Sequence, residues 1–268
     1  MYVKNIHYKL IRTQKQFSLI KDILKEQGFK KGVNLGAGKN WQKFNWIGID
    51  KLDGNFLNKK SKLPFQDNSI KYIYSSHFFE HISDDTANNL FKEIKRVLRN
   101  DGLLRIVVPN FELLHYSLIN EDTTLMESLG FRGRPEWKNF DIEANNINFV
   151  LHWFANYTNY SEEILFDEKP RDFFRGPPKI EREEVLETAR NKSTLDFGKW
   201  AVSKIDKSFL KNGGHINAWT SNKFTECLKK VGIKSKKMDY GKSSSNVLAS
   251  FDYEKDRSKI SICHEGWI

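Results

Sequence analysis

Cysteine is nearly absent, with Cys227 and Cys263 the only two in 268 residues. They stand too far apart for a metal knuckle and are too few for a disulfide scaffold, so a reducing cytoplasm is the expected compartment. No apolar run approaches the ~18 residues that a membrane-spanning helix needs, so no span is expected. Hydrophobic residues make up 39% and the mean hydropathy is −0.61, values of a soluble globular chain. The opening MYVKNIHYKLIRTQKQ has neither the apolar stretch of a secretory leader nor a small-residue cleavage site, and no leader is expected. H-x-E, C-x-x-C and D-x-D-x-D patterns are missing, which argues against a dedicated metal site. Internal repeats and low-complexity segments are missing too.

Acidic residues are outnumbered, 34 against 44 basic ones, leaving a formal net charge of +10. Such a charge suits nucleic acid or an anionic membrane surface. The basic residues are scattered, however, and the tightest cluster is Lys229, Lys230, Lys234, Lys236 and Lys237. Abundant Lys, Asn, Ile and Phe are also what an AT-rich genome gives. Nucleic acid is therefore admitted as a partner but not favoured.

Hydrophobic periodicity lays out an α/β rhythm. Phe17, Ile20, Ile23 and Leu24 fall at helical spacing, so a helix is expected over 14–27, stopped by Gly28. Short apolar runs over 32–35, 47–50 and 70–75 read as strands, with a weaker one at 55–58. Ser83 or Asp84 can cap a helix whose apolar face is Leu90, Phe91, Ile94, Val97 and Leu98, with Asp101-Gly102 ending it. Residues 103–108 are almost continuously apolar, as at the centre of a parallel sheet. From 117 to 211 the rhythm changes to helical segments, 142–156, 180–190 and 194–209, punctuated by Pro170, Pro177 and Pro178. A helix capped by Ser221 then carries Phe224, Cys227, Leu228 and Val231 on one face and stops at Gly232. Final strands at 233–238 and 259–263 form an antiparallel edge hairpin. The expected architecture is a Rossmann-like doubly wound α/β sheet, mostly parallel, over 1–116 and 212–268. The mainly helical insertion 117–211 leaves from the carboxyl end of the central strand, where ligands bind in open α/β sheets, and so is expected to cap the substrate.

Chemistry concentrates at the strand ends. Asn34-Leu35-Gly36-Ala37-Gly38 ends the first strand in G-x-G, which lets backbone approach a ligand closely. Trp41 stands where a dinucleotide fingerprint has its third glycine, so a ligand without a pyrophosphate fits better. Asp50 ends the second strand. Its two acceptor oxygens suit the vicinal hydroxyls of a ribose, the alternative being a solvated carboxylate. Ile49 and Lys51 would flank the base. Ser75-Ser76-His77 ends the next strand, followed by Phe78-Phe79-Glu80-His81, and Asn110 ends the central one. His77, His81, His152 and His215 are candidate bases, each with a packing or helix-start alternative. Arg132-Gly133-Arg134-Pro135 and Arg171-Asp172-Phe173-Phe174-Arg175 could grip an anion, although aromatics at helical spacing are more often core.

Taken together, VNLGAGKNW, WIGID, LPFQDNSIKYIYSSHFFEHI and RVLRNDGLLRIVVPN resemble the class I S-adenosylmethionine (SAM)-dependent methyltransferases. Within them the likeness is to the bacterial type 11-like group with LPF-x-DNS followed by SSH-x-x-EH, often associated with surface-glycan and sugar modification. The resemblance implies SAM as cofactor and S-adenosylhomocysteine as product. It implies cofactor contacts from Asn34, Gly36, Ala37, Gly38, Asp50, Lys51, Asn58, Ser75, Ser76 and His77, with His77, His81 and His152 as candidate catalytic residues. Asn34 stands where such enzymes usually carry Asp or Glu. Asn58, with Asp53 as competitor, stands where a further Asp contacts the adenine amino group. The implied activity is methylation of an oxygen on a small molecule or sugar. RNA or protein methylation, or a non-catalytic SAM-fold scaffold, are the alternatives. V-P-N-F over 108–111 departs from the N-P-P-[YF] signature of amino-methylating DNA enzymes.

Overall fold

A computed structural model describes residues 32–38, 46–50, 62–130, 145–155, 180–204, 214–249 and 257–268. The expected helix at 14–27 and weak strand at 55–58 lie outside these residues. So do both arginine-aromatic clusters and the proline-punctuated stretch.

Six strands form one sheet in the order β2-β1-β3-β4-β6-β5. They are β1 (Gly32–Leu35), β2 (Trp46–Ile49), β3 (Ile70–Ser76), β4 (Leu98–Pro109), β5 (Lys234–Met238) and β6 (Ser261–Trp267). β1 pairs in parallel with β2 and β3, and β3 with β4. β5 and β6 pair antiparallel at the edge. This is the expected Rossmann-like, mostly parallel α/β sheet. β1 and β2, four residues each, are buried at every position, as expected for strands inside a parallel sheet.

Helix α1 (Asp84–Val97) links β3 to β4. Ser83 caps it, its Oγ accepting from the Thr86 N–H at 3.3 Å. Asp84 and Asp85 in the first turn and Lys95 and Arg96 in the last both favour the helix dipole. Leu90, Phe91, Ile94 and Val97 are buried as their spacing predicts. Phe91 stacks on Phe79 with ring centroids 5.1 Å apart, and Phe224 meets Phe79 edge-on at 5.9 Å. Each such contact adds about 1 kcal/mol beyond area burial.

The end of α1 differs from expectation. The helix stops at Val97, and Leu98 is already extended, with φ −69° and ψ 133°. Asp101-Gly102 lies inside β4 instead. The β3–β4 register runs from Ile70↔Leu98 to Tyr72↔Leu103, so β4 carries extra residues that bulge out. Asp101 fixes the bulge, 2.6 Å from Lys71 Nζ and 2.8 Å from Arg99 Nε. A Cβ on Gly102 would lie 2.8 Å from the Arg99 carbonyl oxygen. The helix is closed from outside: the Asn68 and Ser69 N–H groups donate to the Arg96 and Val97 carbonyls, both at 2.9 Å.

The LPFQDNS segment is bolted to the same helix. Arg96 donates to the Leu63 carbonyl at 2.9 Å, the Phe65 carbonyl at 2.8 Å and Asp67 Oδ1 at 2.7 Å. Glu93 accepts from Arg96 at 2.6 Å and from the Leu63 N–H at 2.8 Å. Hydrogen bonding to Arg96 and Leu63 outweighs burial and holds the Glu93 carboxyl below its ordinary range.

Helix α7 (Ser221–Lys230) buries Phe224 and Leu228. Ser221 is its first residue, with its Oγ 2.9 Å from His264 Nε2 in β6. Cys227 is half-buried, and Gly232 takes φ +78° beyond the helix end. A buried ion pair joins β4 to β6: Arg105 lies 3.2 Å from Glu265, and these side chains are 1% and 0% exposed. Arg105 also donates to the Lys242 carbonyl, and Glu265 accepts from the Ser244 N–H. That fastens the segment before the short helix α8 (Asn246–Ala249) to the sheet.

Backbone proximity divides the chain into two compact units, Met1–Val108 with Ser221–Ile268, and Pro109–Thr220. The second contains α2 (Phe111–Ile119), α3 (Thr124–Ser128), α4 (Asn146–Ala155), α5 (Arg182–Asn191) and α6 (Thr194–Ser203). Its centre is aromatic. Phe111 and Phe197 each meet Phe154 edge-on at 5.0 Å, and His115 stacks on Phe197 at the same distance. Burial holds His115 below the ordinary histidine range, and its Nε2 sits 2.9 Å from the Ala189 carbonyl.

Candidate functional site

Because β1 to β4 run parallel, their carboxyl ends share one edge, which gathers residues 36–38, 50 and 77. Gly36 and Gly38 adopt φ +73° and +75°, a region that costs other residues about 1–2 kcal/mol. The Gly36 and Ala37 N–H groups both donate to the Ile49 carbonyl, at 2.7 and 3.2 Å, drawing the glycine turn beside Asp50. Asp50 is half-buried just beyond β2. A Cβ at Gly36 would meet Phe78 Cβ at 2.4 Å, so the first glycine is needed for packing as well as for φ. A Cβ at Gly38 would meet nothing described within 4 Å, so the second keeps backbone approachable.

Asn34 is 4% exposed, and its Oδ1 has no hydrogen-bond partner among the described residues. An orphaned buried acceptor costs ~1–3 kcal/mol unless something donates to it. Two positions before Gly36, it fits a ligand bearing an N–H or O–H donor, and the amino-acid end and ribose of SAM carry such groups. SAM supplies an electrophilic methyl carbon; the chain supplies acceptors and close backbone.

Ser75 is fully buried and its Oγ donates to the Leu35 carbonyl at 3.0 Å, which ties β3 to β1. Ser76 is half-buried and in register with Val107. His77 takes φ +49°, rare for a non-glycine residue and typical of constrained sites. Its N–H continues the ladder to the Val107 carbonyl at 2.8 Å. Its Nε2 lies 2.9 Å from Ser261 Oγ and its Nδ1 3.2 Å from Glu80 Oε1. His81 is half-buried at the end of a 3₁₀ turn (Phe79–His81), its N–H bonded to the Phe78 carbonyl at 3.0 Å.

Sequence reasoning missed Ser261 and Glu80. Ser261 opens the last strand, far from any motif, and only the sheet order brings it to His77. His152 and His215 belong to the helical unit, with His152 half-buried against Trp153 and His215 Nδ1 2.5 Å from the Trp153 carbonyl. Asn110 serves as a helix cap, its Oδ1 accepting from the Leu113 N–H at 3.1 Å. Lys51, Asp53 and Asn58 lie outside the described residues. No described helix is long and apolar enough to cross a membrane.

Residues 40–106 match a family model described as a methyltransferase domain. The match begins just past the glycine turn and ends within β4. No curated protein matches the chain. Among solved structures, a SAM-dependent methyltransferase from Mesorhizobium loti is 12% identical, with a TM-score of 0.37 over 93% of this chain and 95% of that one. One from Archaeoglobus fulgidus is 12% identical, with a TM-score of 0.33 over 93% of each chain. PKMT2 from Rickettsia typhi, in complex with AdoHcy, is 11% identical, with a TM-score of 0.28 over 95% of this chain and 43% of that one. Residues 40–106, a stretch that includes β2, β3 and α1 of the doubly wound sheet, are therefore similar to a methyltransferase domain.

Proposed function

We propose that the protein transfers the methyl group of SAM to an oxygen of a small molecule or sugar, in the cytoplasm. The observation that carries the cofactor part is the buried Asn34 Oδ1, without a partner among the described residues, beside two glycines at positive φ, with Asp50 ending the adjacent strand. In this reading Asn34 accepts from the amino-acid end of SAM, Gly36, Ala37 and Gly38 pass beneath it, and Asp50 holds the ribose hydroxyls. Lys51 and Asn58 line the adenine, and Ser75, Ser76 and His77 border the methionine half. Methyl transfer is an in-line displacement, for which alignment alone is worth up to ~7–11 kcal/mol. An alcohol must also lose its proton, and His77 is proposed as the base, ahead of His81 and His152. His77 is favoured by its place at the strand tip and its constrained backbone.

The test is transfer of a radiolabelled methyl group from SAM to panels of sugars, sugar nucleotides and phenols, with RNA and peptides alongside. Labelling of a hydroxyl compound supports the reading. Labelling confined to RNA or peptide overturns the acceptor class.

A further inference from the structure

We propose that Ser261 and Glu80 complete a proton relay through His77, with the Ser261 hydroxyl, rather than the imidazole, meeting the acceptor. This rests on the proposed reading of His77 as the base. The geometry has three parts. Glu80 is fully buried with Oε1 3.2 Å from His77 Nδ1, an ion-pair contact without hydrogen-bond alignment, and a carboxylate at that distance favours the proton on Nδ1 through its charge. With its proton on Nδ1, the ring presents a lone pair at Nε2, so the Ser261 Oγ–H, 2.9 Å away, is the donor. The His77 side chain is only 5% exposed, whereas Ser261 lines a small pocket together with Val107, Met238, Tyr240, Ser258, Ile262 and Cys263. His77 is not part of that lining. A carboxylate, an imidazole and a hydroxyl in sequence form the arrangement that activates a hydroxyl for proton transfer.

Atoms balance as follows. The acceptor hydroxyl gives its proton to Ser261 Oγ while the Ser261 proton passes to His77 Nε2, leaving an imidazolium beside the Glu80 carboxylate. The acceptor oxygen forms the new C–O bond as the C–S bond of SAM breaks, and that electron pair stays on sulfur.

The experiment uses the full chain with ¹⁵N-labelled histidine and S-adenosylhomocysteine, comparing wild type with Ser261→Ala, Ser261→Thr and Glu80→Gln. The relay requires His77 to carry its proton on Nδ1 in wild type and to lose that fixed tautomer in Glu80→Gln. With a hydroxyl acceptor from the panel, Ser261→Ala should slow transfer about 100-fold at little-changed SAM affinity. Ser261→Thr, which keeps the hydroxyl, should restore most of the rate. An Nε2–H tautomer in wild type, or a wild-type rate in Ser261→Ala, overturns the relay. Failure of wild type to bind SAM overturns the methyltransferase reading instead, and the tautomer in the same sample still decides where the His77 proton sits.

Discussion

Gly36 and Gly38 share a left-handed backbone but differ in their surroundings, so alanine at each separates two costs. At Gly38 only the backbone matters. With φ +75° and no described atom within 4 Å of an added Cβ, Gly38→Ala should cost about 1–2 kcal/mol. At Gly36 the same backbone cost applies at φ +73°, and the new Cβ would also lie 2.4 Å from both Cβ and Cγ of Phe78. Those atoms sit at the root of the ring and cannot swing aside. Phe78 is 5% exposed and meets Phe79 edge-on at 5.6 Å, so its displacement disturbs the core. Overpacking of this kind adds about 1–3 kcal/mol, for a total near 2–5 kcal/mol. Thermal and urea denaturation without ligand should therefore rank wild type, Gly38→Ala and Gly36→Ala in falling order. Calorimetry should show the milder variant still losing SAM affinity, because its Cβ occupies the ligand's approach. Equal destabilisation by the two would refute the packing argument. Unchanged affinity in Gly38→Ala would refute the placement of the cofactor.

Three further outcomes follow from buried polar groups. His264 is 2% exposed, and burial, with Lys237 adding to it, brings its pKa down to about 4. The unfolded chain binds that proton below ~6.5 and the fold does not. About 3 kcal/mol of stability present at neutral pH is therefore lost between pH ~6.5 and ~4, and His264→Gln should flatten urea midpoints over that window. Arg96→Met strands two carbonyls and Glu93 and should cost about 2 kcal/mol or more, whereas Arg99→Met, at an exposed pair, should change the urea midpoint by less than about 1 kcal/mol. Asn34→Ala removes an acceptor without a described partner, so ligand-free stability should hold or rise while SAM affinity falls about tenfold by calorimetry.

Local pattern carried the parallel half of the fold. A short run with Val33 and Leu35 was enough to mark β1, and the spacing of Leu90, Phe91, Ile94 and Val97 marked α1. The reading went wrong at Asp101-Gly102, because a turn pair inside a bulged strand looks the same as a helix stop. Leu98 was assigned to the helix for a related reason: it is buried in either conformation. Gly36, Gly38, Asp50 and His77 were legible because strand ends are local features. The partners of His77 were divided. Glu80 stood in a recognised motif without an assigned role, and Ser261 was hidden by lying 184 positions from His77 in the chain. The Arg105–Glu265 pair, 160 residues apart, is invisible to any local pattern. Asn110 ends the central strand as read, and its side chain also caps α2.

The central claim is that SAM binds at the carboxyl edge of β1 and β2. Its most direct test is titration calorimetry of SAM and S-adenosylhomocysteine on wild type, Asp50→Ala and Asn34→Ala. The account predicts binding to folded wild type, loss of most affinity in Asp50→Ala, and a smaller loss in Asn34→Ala with stability retained. Wild-type affinity in both variants, or no binding by folded wild type, would contradict it.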